Sequence, residues 1–209
     1  MGTPYLLFDL GNVIVDLDIP ATYRALADLT RARARPFERF LEEERWLDRY
    51  ETGALSDQEF IAGILDHAAP DTPPEAVVDA WNAMLVHIPS ERLEWLADLR
   101  SRYRVGLLSN TNGLHLQWVH DYLDRQLGIR DFEDRCFDEV YYSHRIGYRK
   151  PAEECFRHTI RAIGRPAREI LFIDDLEDNT AAARACGMRA ATHPAGREIR
   201  EWLDHYLQT

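Results

Sequence analysis

The chain has 209 residues, about 45% of them hydrophobic, and a formal net charge of −11. That length suits one medium domain, or a core of roughly 130 to 150 residues plus a smaller insert. The acidity argues against a nucleic-acid-binding surface, and no apolar stretch approaches the roughly 18 residues of a membrane span.

In chain order, the first predicted element is the apolar run Tyr5-Leu6-Leu7-Phe8, which ends abruptly in Asp9. It reads as a buried parallel strand with its polar residue at the carboxyl end, where open α/β sheets place ligands. Gly11 and Asn12 then let the backbone turn tightly beside whatever Asp9 holds. Residues 17–88 carry no convincing strand signal and at least four helical patterns: Ala21 to Arg31, Pro36 to Tyr50, one opened by the capping box Ser56-Asp57-Gln58-Glu59, and one opened by Pro73-Pro74-Glu75 and carrying Val77, Val78, Trp81 and Leu85. Strands and helices alternate after that. Strands are expected at Arg104 to Leu108, Glu139 to Tyr142, Glu169 to Ile173 and Met188 to Thr192. Helices are expected at Ser90 to Ser101, Gly113 to Leu127, Ala152 to Ile163, Leu176 to Cys186 and Glu198 to Leu207, with Gly187 at a C-terminal cap. The pattern predicts an α/β fold: a Rossmann-like parallel sheet core over residues 1–16 and 89–209, with an all-helical cap over 17–88 inserted after the first strand.

The N-terminus lacks a signal-peptide pattern, and Cys136, Cys155 and Cys186 show no C-x-x-C spacing. They read as reduced thiols of a cytoplasmic protein, forming neither a disulfide framework nor a zinc site.

Four strand-end segments carry polar groups in a definite order: Asp9; Ser109-Asn110; Lys150 before Pro151; and Asp174-Asp175, followed by Asp178 and Asn179. Each has an ordinary structural explanation alone, as a helix cap, a turn or an acid at a positive helix end. Together, with a helical insert after the first, they form a specific pattern.

That pattern resembles the haloacid dehalogenase-like hydrolase superfamily over essentially the whole chain. The stretches F-D-L-G-N-V, L-S-N-T-N, R-K-P and D-D-x-x-D-N look like its sugar-phosphatase branch, which includes α-D-glucose-1-phosphate phosphatases. The resemblance implies a phosphatase with Asp9 as nucleophile and Lys150 as the second catalytic residue. Ser109, Asn110, Gly11 and Lys150 would hold the phosphate. Mg2+ would be bound by Asp9, the carbonyl of Gly11 and Asp175, with Asp174 orienting a metal water. Charge gives the reason for the ion. Two like charges about 4 Å apart cost roughly 4 kcal/mol at an effective dielectric near 20, so three carboxylates and a phosphate need cations among them. Hard oxygen donors suit Mg2+. The expected partner is a small phosphorylated metabolite, with no nucleic acid and no membrane. No motif speaks to oligomeric state.

One departure matters. Most phosphatases of this superfamily carry a second Asp two residues after the nucleophile, and here Gly11 stands there. A positioned acid/base is worth about 10² to 10⁴ in rate. The expectation is a substrate whose leaving group needs little protonation, such as an anomeric sugar phosphate. His115 is a candidate replacement base, although a solvated or helix-start histidine is the simpler reading. Asp16 and Asp18 read as hinge or capping residues. Arg45, Trp46, Arg49, Tyr50 and Glu51 are candidates to face the substrate, since Glu51-Thr52-Gly53 resembles the family's substrate-reading cap loop. Two competing functions remain: a metal-independent 2-haloacid dehalogenase, which the Asp174-Asp175 pair would oppose by repelling a haloacid carboxylate, and a catalytically weak regulatory or binding protein of the same fold.

Overall fold

The computed structural model describes residues 3–29 and 45–208. Its centre is a five-stranded parallel sheet built from β1 (Tyr5–Phe8), β4 (Arg104–Ser109), β5 (Glu139–Tyr142), β6 (Ile170–Asp174) and β7 (Arg189–Thr192), in the order β5-β4-β1-β6-β7. The near-continuous apolar runs of β1, β4 and β6 follow from burial on both faces. Leu6, Phe8, Val105, Leu107, Leu171 and Ile173 point to one core cluster. Tyr5, Leu7, Leu108, Ile170 and Phe172 point to the other. The alternation is the period-2 pleat of a strand.

β1 lies between β4 and β6, so the strand order reverses there, and a crevice opens at the carboxyl ends of these three strands. Phe8 is in register with Leu107 and Ile173, which puts Asp9, Ser109 and Asp174 on the same rim.

The segment between β1 and the rest of the sheet contributes helices α1 (Ile19–Leu29), α2 (Trp46–Glu51), α3 (Asp57–Leu65) and α4 (Pro74–Asn82) among the described residues. They share their own apolar cluster, which includes Leu26, Tyr50, Phe60, Ile64, Val77 and Trp81. Ser56 opens α3 with the expected capping box: its side chain accepts from Glu59 N–H while the Glu59 carboxylate accepts from Ser56 N–H. The helix expected over residues 36–50 lies largely outside the described residues, and α2 is its last part.

Two expectations change. The segment expected to lack strands contains a pair, β2 (Asp16–Leu17) and β3 (Leu85–His87), which are antiparallel neighbours. Leu85 therefore sits in a strand and not in the fourth helix, which ends at Asn82. A strand pair this short leaves no periodic signal in sequence. It ties the two chain crossings together where the helical unit leaves the core.

The helical unit rests directly on the core. Trp81 stacks on His115 at 5.0 Å and donates from Nε1 to Asn112 Oδ1 at 3.3 Å. Gly53, at φ 72°, packs so closely on the His144 carbonyl that a Cβ there would overlap it. Among the described residues, no helix is long and apolar enough to cross a membrane.

Candidate active site

Lys150 organises the rim. It is buried, and its Nζ donates to Asp9 Oδ1 at 2.6 Å, Asp174 Oδ2 at 2.6 Å and the Leu108 carbonyl at 3.0 Å. All three ammonium donors therefore have acceptors. Burial opposes the charge, but Asp9 and Asp174 hold the Lys150 pKa above the ordinary lysine value. The segment carrying Lys150 is fixed by Asn110, whose side chain donates to the Lys150 carbonyl at 2.9 Å and accepts from its N–H at 2.8 Å. Of the expected phosphate-binding groups, the Asn110 side chain is thus committed to backbone.

Asp9 is fixed from below by its N–H bond to the Ile173 carbonyl at 2.8 Å. Burial pushes its carboxyl up to about 7. Lys150 pulls against that, and Asp174 and Asp175 add to it. Asp174 is fully buried, and both its oxygens are occupied. They accept from Lys150, from Leu176 N–H at 2.9 Å and from Asn179 Nδ2 at 2.9 and 3.0 Å. Asp175 is half-buried and accepts from Asn12 Nδ2 at 3.0 Å, and burial raises its carboxyl as well. Asn12 reaches it because its backbone adopts the left-handed region at φ 52°, a conformation asparagine tolerates.

Oxygens of Asp9, Asp174 and Asp175 lie within 4.8 Å of one another. Lys150 places its ammonium against two of these carboxylates, and burial is the main cause of the raised Asp9 and Asp175 carboxyls. An all-oxygen, charge-rich set of this kind fits a hard divalent cation. Asp9 and Asp175 have coordination capacity to spare. Asp174 does not, which suits the role of orienting a neighbour better than that of direct ligand.

Above this rim lies a cavity of about 310 Å³, at the low end for small-molecule sites. Asp9, Gly11, Ser109, Asn110, Lys150 and Asp175 line its floor. Its other wall comes from the helical unit and the β2–β3 pair, including Leu17, Ile19, Leu47, Glu51, Trp81 and Leu85. A second hollow, sharing Arg149 and Lys150 with this cavity, is lined by Arg45, Arg49 and Arg149 together with Asp48, which pairs with Arg45 and Arg149.

The expected site residues Asp9, Gly11, Ser109, Asn110, Lys150, Asp174 and Asp175 therefore meet at one place. His115 also lines the cavity but is spent: it is buried, bonded to the Trp81 carbonyl at 3.2 Å and to Asn112 at 3.2 Å, and burial pushes its pKa down to about 4. Asp16 pairs with Arg92 and Asp18 with Arg24, as befits structural residues. Tyr50 faces away from the cavity, stacked on Phe60 at 4.0 Å. Of the five candidates to face the substrate, Glu51 lines the cavity, while Arg45 and Arg49 line the neighbouring hollow. Sequence reasoning gave Asn12 only a part in the turn after Asp9, and Arg149 none. Asn12 follows Gly11 in the turn, and Arg149 directly precedes Lys150, so adjacency to the motifs was the available signal.

The residue at position 11 has a structural counterpart. A Cβ on Gly11 would lie 2.7 Å from Leu17 Cδ1 and 4.0 Å from Asp9 Oδ2. Leu17 therefore occupies the start of the space an acidic side chain would need.

Comparison with known proteins matches residues 4–187 to the family model described as haloacid dehalogenase-like hydrolase. A D-ribitol-5-phosphate phosphatase of Bacteroides thetaiotaomicron is 29% identical over 204 residues, covering 98% of each chain. A crystal structure of a HAD family enzyme from Bacteroides thetaiotaomicron superposes with a TM-score of 0.88 at 29% identity, covering 97% of this chain and 99% of that one. The wild-type form of that enzyme, in complex with magnesium and inorganic phosphate, gives 0.83 at 30% identity, covering 96% and 99%.

Proposed function

The chain belongs to the haloacid dehalogenase-like hydrolase family, and we propose that it is a Mg2+-dependent phosphatase of a small phosphorylated metabolite, acting through an aspartyl-phosphate on Asp9. The observation that carries this reading is the shared rim of Asp9, Lys150, Asp174 and Asp175 beneath the cavity. The relatives named as a phosphatase and as a magnesium and phosphate complex support it.

Asp9, Asp175 and the Gly11 carbonyl would hold the ion, with Asp174 orienting its surroundings. When bound, Mg2+ supplies the positive charge that lets a phosphate dianion approach three carboxylates. The remaining work belongs to the chain. Asp9 attacks phosphorus in line, forming an O–P bond as the ester P–O bond breaks, and the leaving oxygen departs with the bonding pair. Lys150 holds Asp9 in place and balances the charge shared between nucleophile and phosphate. Ser109, at the end of β4, and the N–H groups of the Leu10–Asn12 turn and of Asn110 donate to phosphate oxygens. Water then attacks the aspartyl-phosphate, releasing inorganic phosphate and restoring Asp9. Residues 17–88 act as the cap that shields this step from bulk solvent.

A sugar phosphate is the finer form of the proposal, and an anomeric ester suits the missing acid at Gly11 because its leaving group is comparatively acidic. The test is phosphate release from a panel of sugar-1-phosphates, sugar-6-phosphates, polyol phosphates and nucleotides, with and without chelator. Release that needs Mg2+ and vanishes in Asp9→Asn supports the reading. Halide release from a 2-haloacid that survives chelation would replace it with the dehalogenase.

A further inference from the structure

Away from the acidic rim, much of the cavity wall is hydrocarbon. Leu17, Ile19, Leu47, Met84, Leu85 and Leu176 line it and bring no hydrogen-bonding atom from their side chains. Polar side chains among them are engaged within the protein. The Thr22 hydroxyl donates to the Trp81 carbonyl at 2.8 Å and accepts from Met84 N–H at 3.0 Å. The Trp81 indole N–H donates to Asn112. The Glu51 carboxylate is ion-paired with Arg149.

The hydrocarbon continues to the opening. Ile19, Val86, Tyr148 and Leu176 are the large apolar side chains exposed among the described residues. Two of these four, Ile19 at 44% and Leu176 at 56%, line this cavity, so they stand where it meets solvent. They come from different units: Ile19 opens α1, and Leu176 follows Asp175 in the core. A lone exposed leucine needs no explanation. Two apolar side chains at one opening, continuous with an apolar wall, lead from the phosphate floor to the surface. Position 11 adds a chemical constraint. Gly11 brings no acid, and Leu17 fills the start of the space one would need. A departing oxygen receives no proton there, so the site suits a leaving group that departs as a stable anion.

Resting on the phosphatase reading and going beyond it, we propose a further activity of the same site, in addition to that on a hydroxylated ester: hydrolysis of phosphate monoesters of phenols that carry an apolar tail. The ring and tail lie along Leu17, Leu47, Met84 and Leu85, and the end of the tail rests against Ile19 and Leu176. A phenol meets both conditions, since its oxygen leaves without a proton donor and the rest of the molecule is hydrocarbon. Asp9 forms the new O–P bond as the aryl ester P–O bond breaks. The phenolate leaves with the bonding pair and takes a proton from solvent, and water then releases inorganic phosphate from Asp9. No co-reactant besides water is needed. The tail lies far from phosphorus and is bound equally in the ground and transition states, so it acts on KM more than on kcat.

The experiment uses the full chain loaded with Mg2+ and measures kcat and KM for the 4-methyl-, 4-butyl- and 4-hexylphenyl phosphates, with glucose 1-phosphate alongside. Lengthening the para-alkyl group hardly changes the acidity of the phenol, so the series isolates burial of the tail. Each buried methylene is worth about three- to fourfold in binding. In the unaltered protein, kcat/KM is therefore expected to rise at least about tenfold from methyl to butyl, through KM. Ile19→Ser and Leu176→Ser should each cut the further gain from butyl to hexyl at least about threefold. Both side chains are about half exposed, so the fold does not depend on them. Val86→Ser removes an equally exposed apolar group that does not line the cavity and should leave the whole series unchanged, which separates the cavity from general surface adsorption. A series with no gain in the unaltered protein overturns the proposal. So does a hexyl gain that survives in both the Ile19 and Leu176 variants. If glucose 1-phosphate or 4-methylphenyl phosphate is hydrolysed while the series stays flat, only the apolar-tail activity is lost. If no ester releases phosphate, the phosphatase reading itself fails.

Discussion

Gly11 offers a way to test whether leaving-group chemistry limits this enzyme. The Cβ of a Gly11→Asp substitution would meet only the tip of Leu17, at 2.7 Å, with the next contact at 3.7 Å on the same side chain. Leu17→Ala should therefore clear the space, and position 11 is not among the residues with positive φ, so an L side chain fits its backbone. The new carboxylate would stand near Asp9 Oδ2, which is 4.0 Å from the Cβ position. At about 5 Å and an effective dielectric near 20, two carboxylates repel by roughly 3 kcal/mol. That raises the newcomer by about 2 pH units, to a pKa near 6, suitable for a proton donor near neutrality. Such an acid is worth about 10² to 10⁴ in rate, or roughly 3 to 5.5 kcal/mol, but only where the departing oxygen is basic. The assay is kcat/KM across phosphate esters running from nitrophenols to primary alcohols. The unaltered enzyme should slow steeply as the leaving group becomes more basic. Gly11→Asp combined with Leu17→Ala should gain about 10²-fold on alkyl esters and less than about threefold on p-nitrophenyl phosphate, with Leu17→Ala alone as the control. Equal gains on both, or an unaltered enzyme indifferent to leaving group, would refute the reasoning.

Replacing Lys150 with Met removes the ammonium between Asp9 and Asp174 while keeping most of the volume. The metal-free protein should lose about 3 to 5 kcal/mol in guanidinium unfolding, and kcat should fall about 10³-fold with Mg2+ present. Asn179→Ala frees both Asp174 oxygens from their amide partner and should weaken Mg2+ binding about 10- to 100-fold by calorimetry. His115 predicts a pH effect on stability. Its pKa falls from 6.5 to about 4 on folding, so the unfolded chain takes up the proton first as pH drops. Its contribution is complete above about pH 6.5 and is lost progressively toward pH 4, by about 3 kcal/mol in all. Unfolding midpoints measured from pH 7 to 4 should show this decline, and His115→Gln should show a shallower one.

The sheet was legible because its strands are buried on both faces: runs such as Leu6 to Phe8 and Ile170 to Ile173 must be apolar throughout, and each ends where the crevice begins. The order of Asp9, Ser109 and Asp174 was legible for the same reason, since polar residues at the ends of apolar strands stand out; Lys150, expected at a strand end, instead lies in the loop beyond the short helix Ser143–Ile146 that follows β5, and stood out only through its R-K-P motif. What escaped was of two kinds. The β2–β3 pair is held by a few backbone bonds and carries no periodicity. The division of labour among polar side chains depends on which oxygen faces which donor. Asn110 and Ser109 are equivalent as motif residues, yet only the structure shows that the Asn110 amide is consumed by the Lys150 backbone. Likewise Asp174 and Asp175 are an undifferentiated pair in sequence, and Asn179, Leu176 and Lys150 saturate the first while, among the side chains of the described residues, Asn12 donates to the second.

That division explains why the fold keeps two adjacent carboxylates when one ligand would suffice for charge. If Asp174 coordinated the ion directly, it would have to release Lys150, and Lys150 would then swing on Asp9 alone. By holding Lys150 at 2.6 Å from both acids, Asp174 fixes the ammonium on Asp9 Oδ1, and under the proposed mechanism Asp9 Oδ2 and Asp175 would be left to hold the ion. With Mg2+ bound, lysine and metal would both supply positive charge for the attack of one anion on another. Loss of Asp174 should therefore disturb catalysis mainly through the lysine, and loss of Asp175 mainly through the metal. Raising the Mg2+ concentration should rescue Asp175→Asn far better than Asp174→Asn, and equal rescue of the two would show that this separation of roles is mistaken.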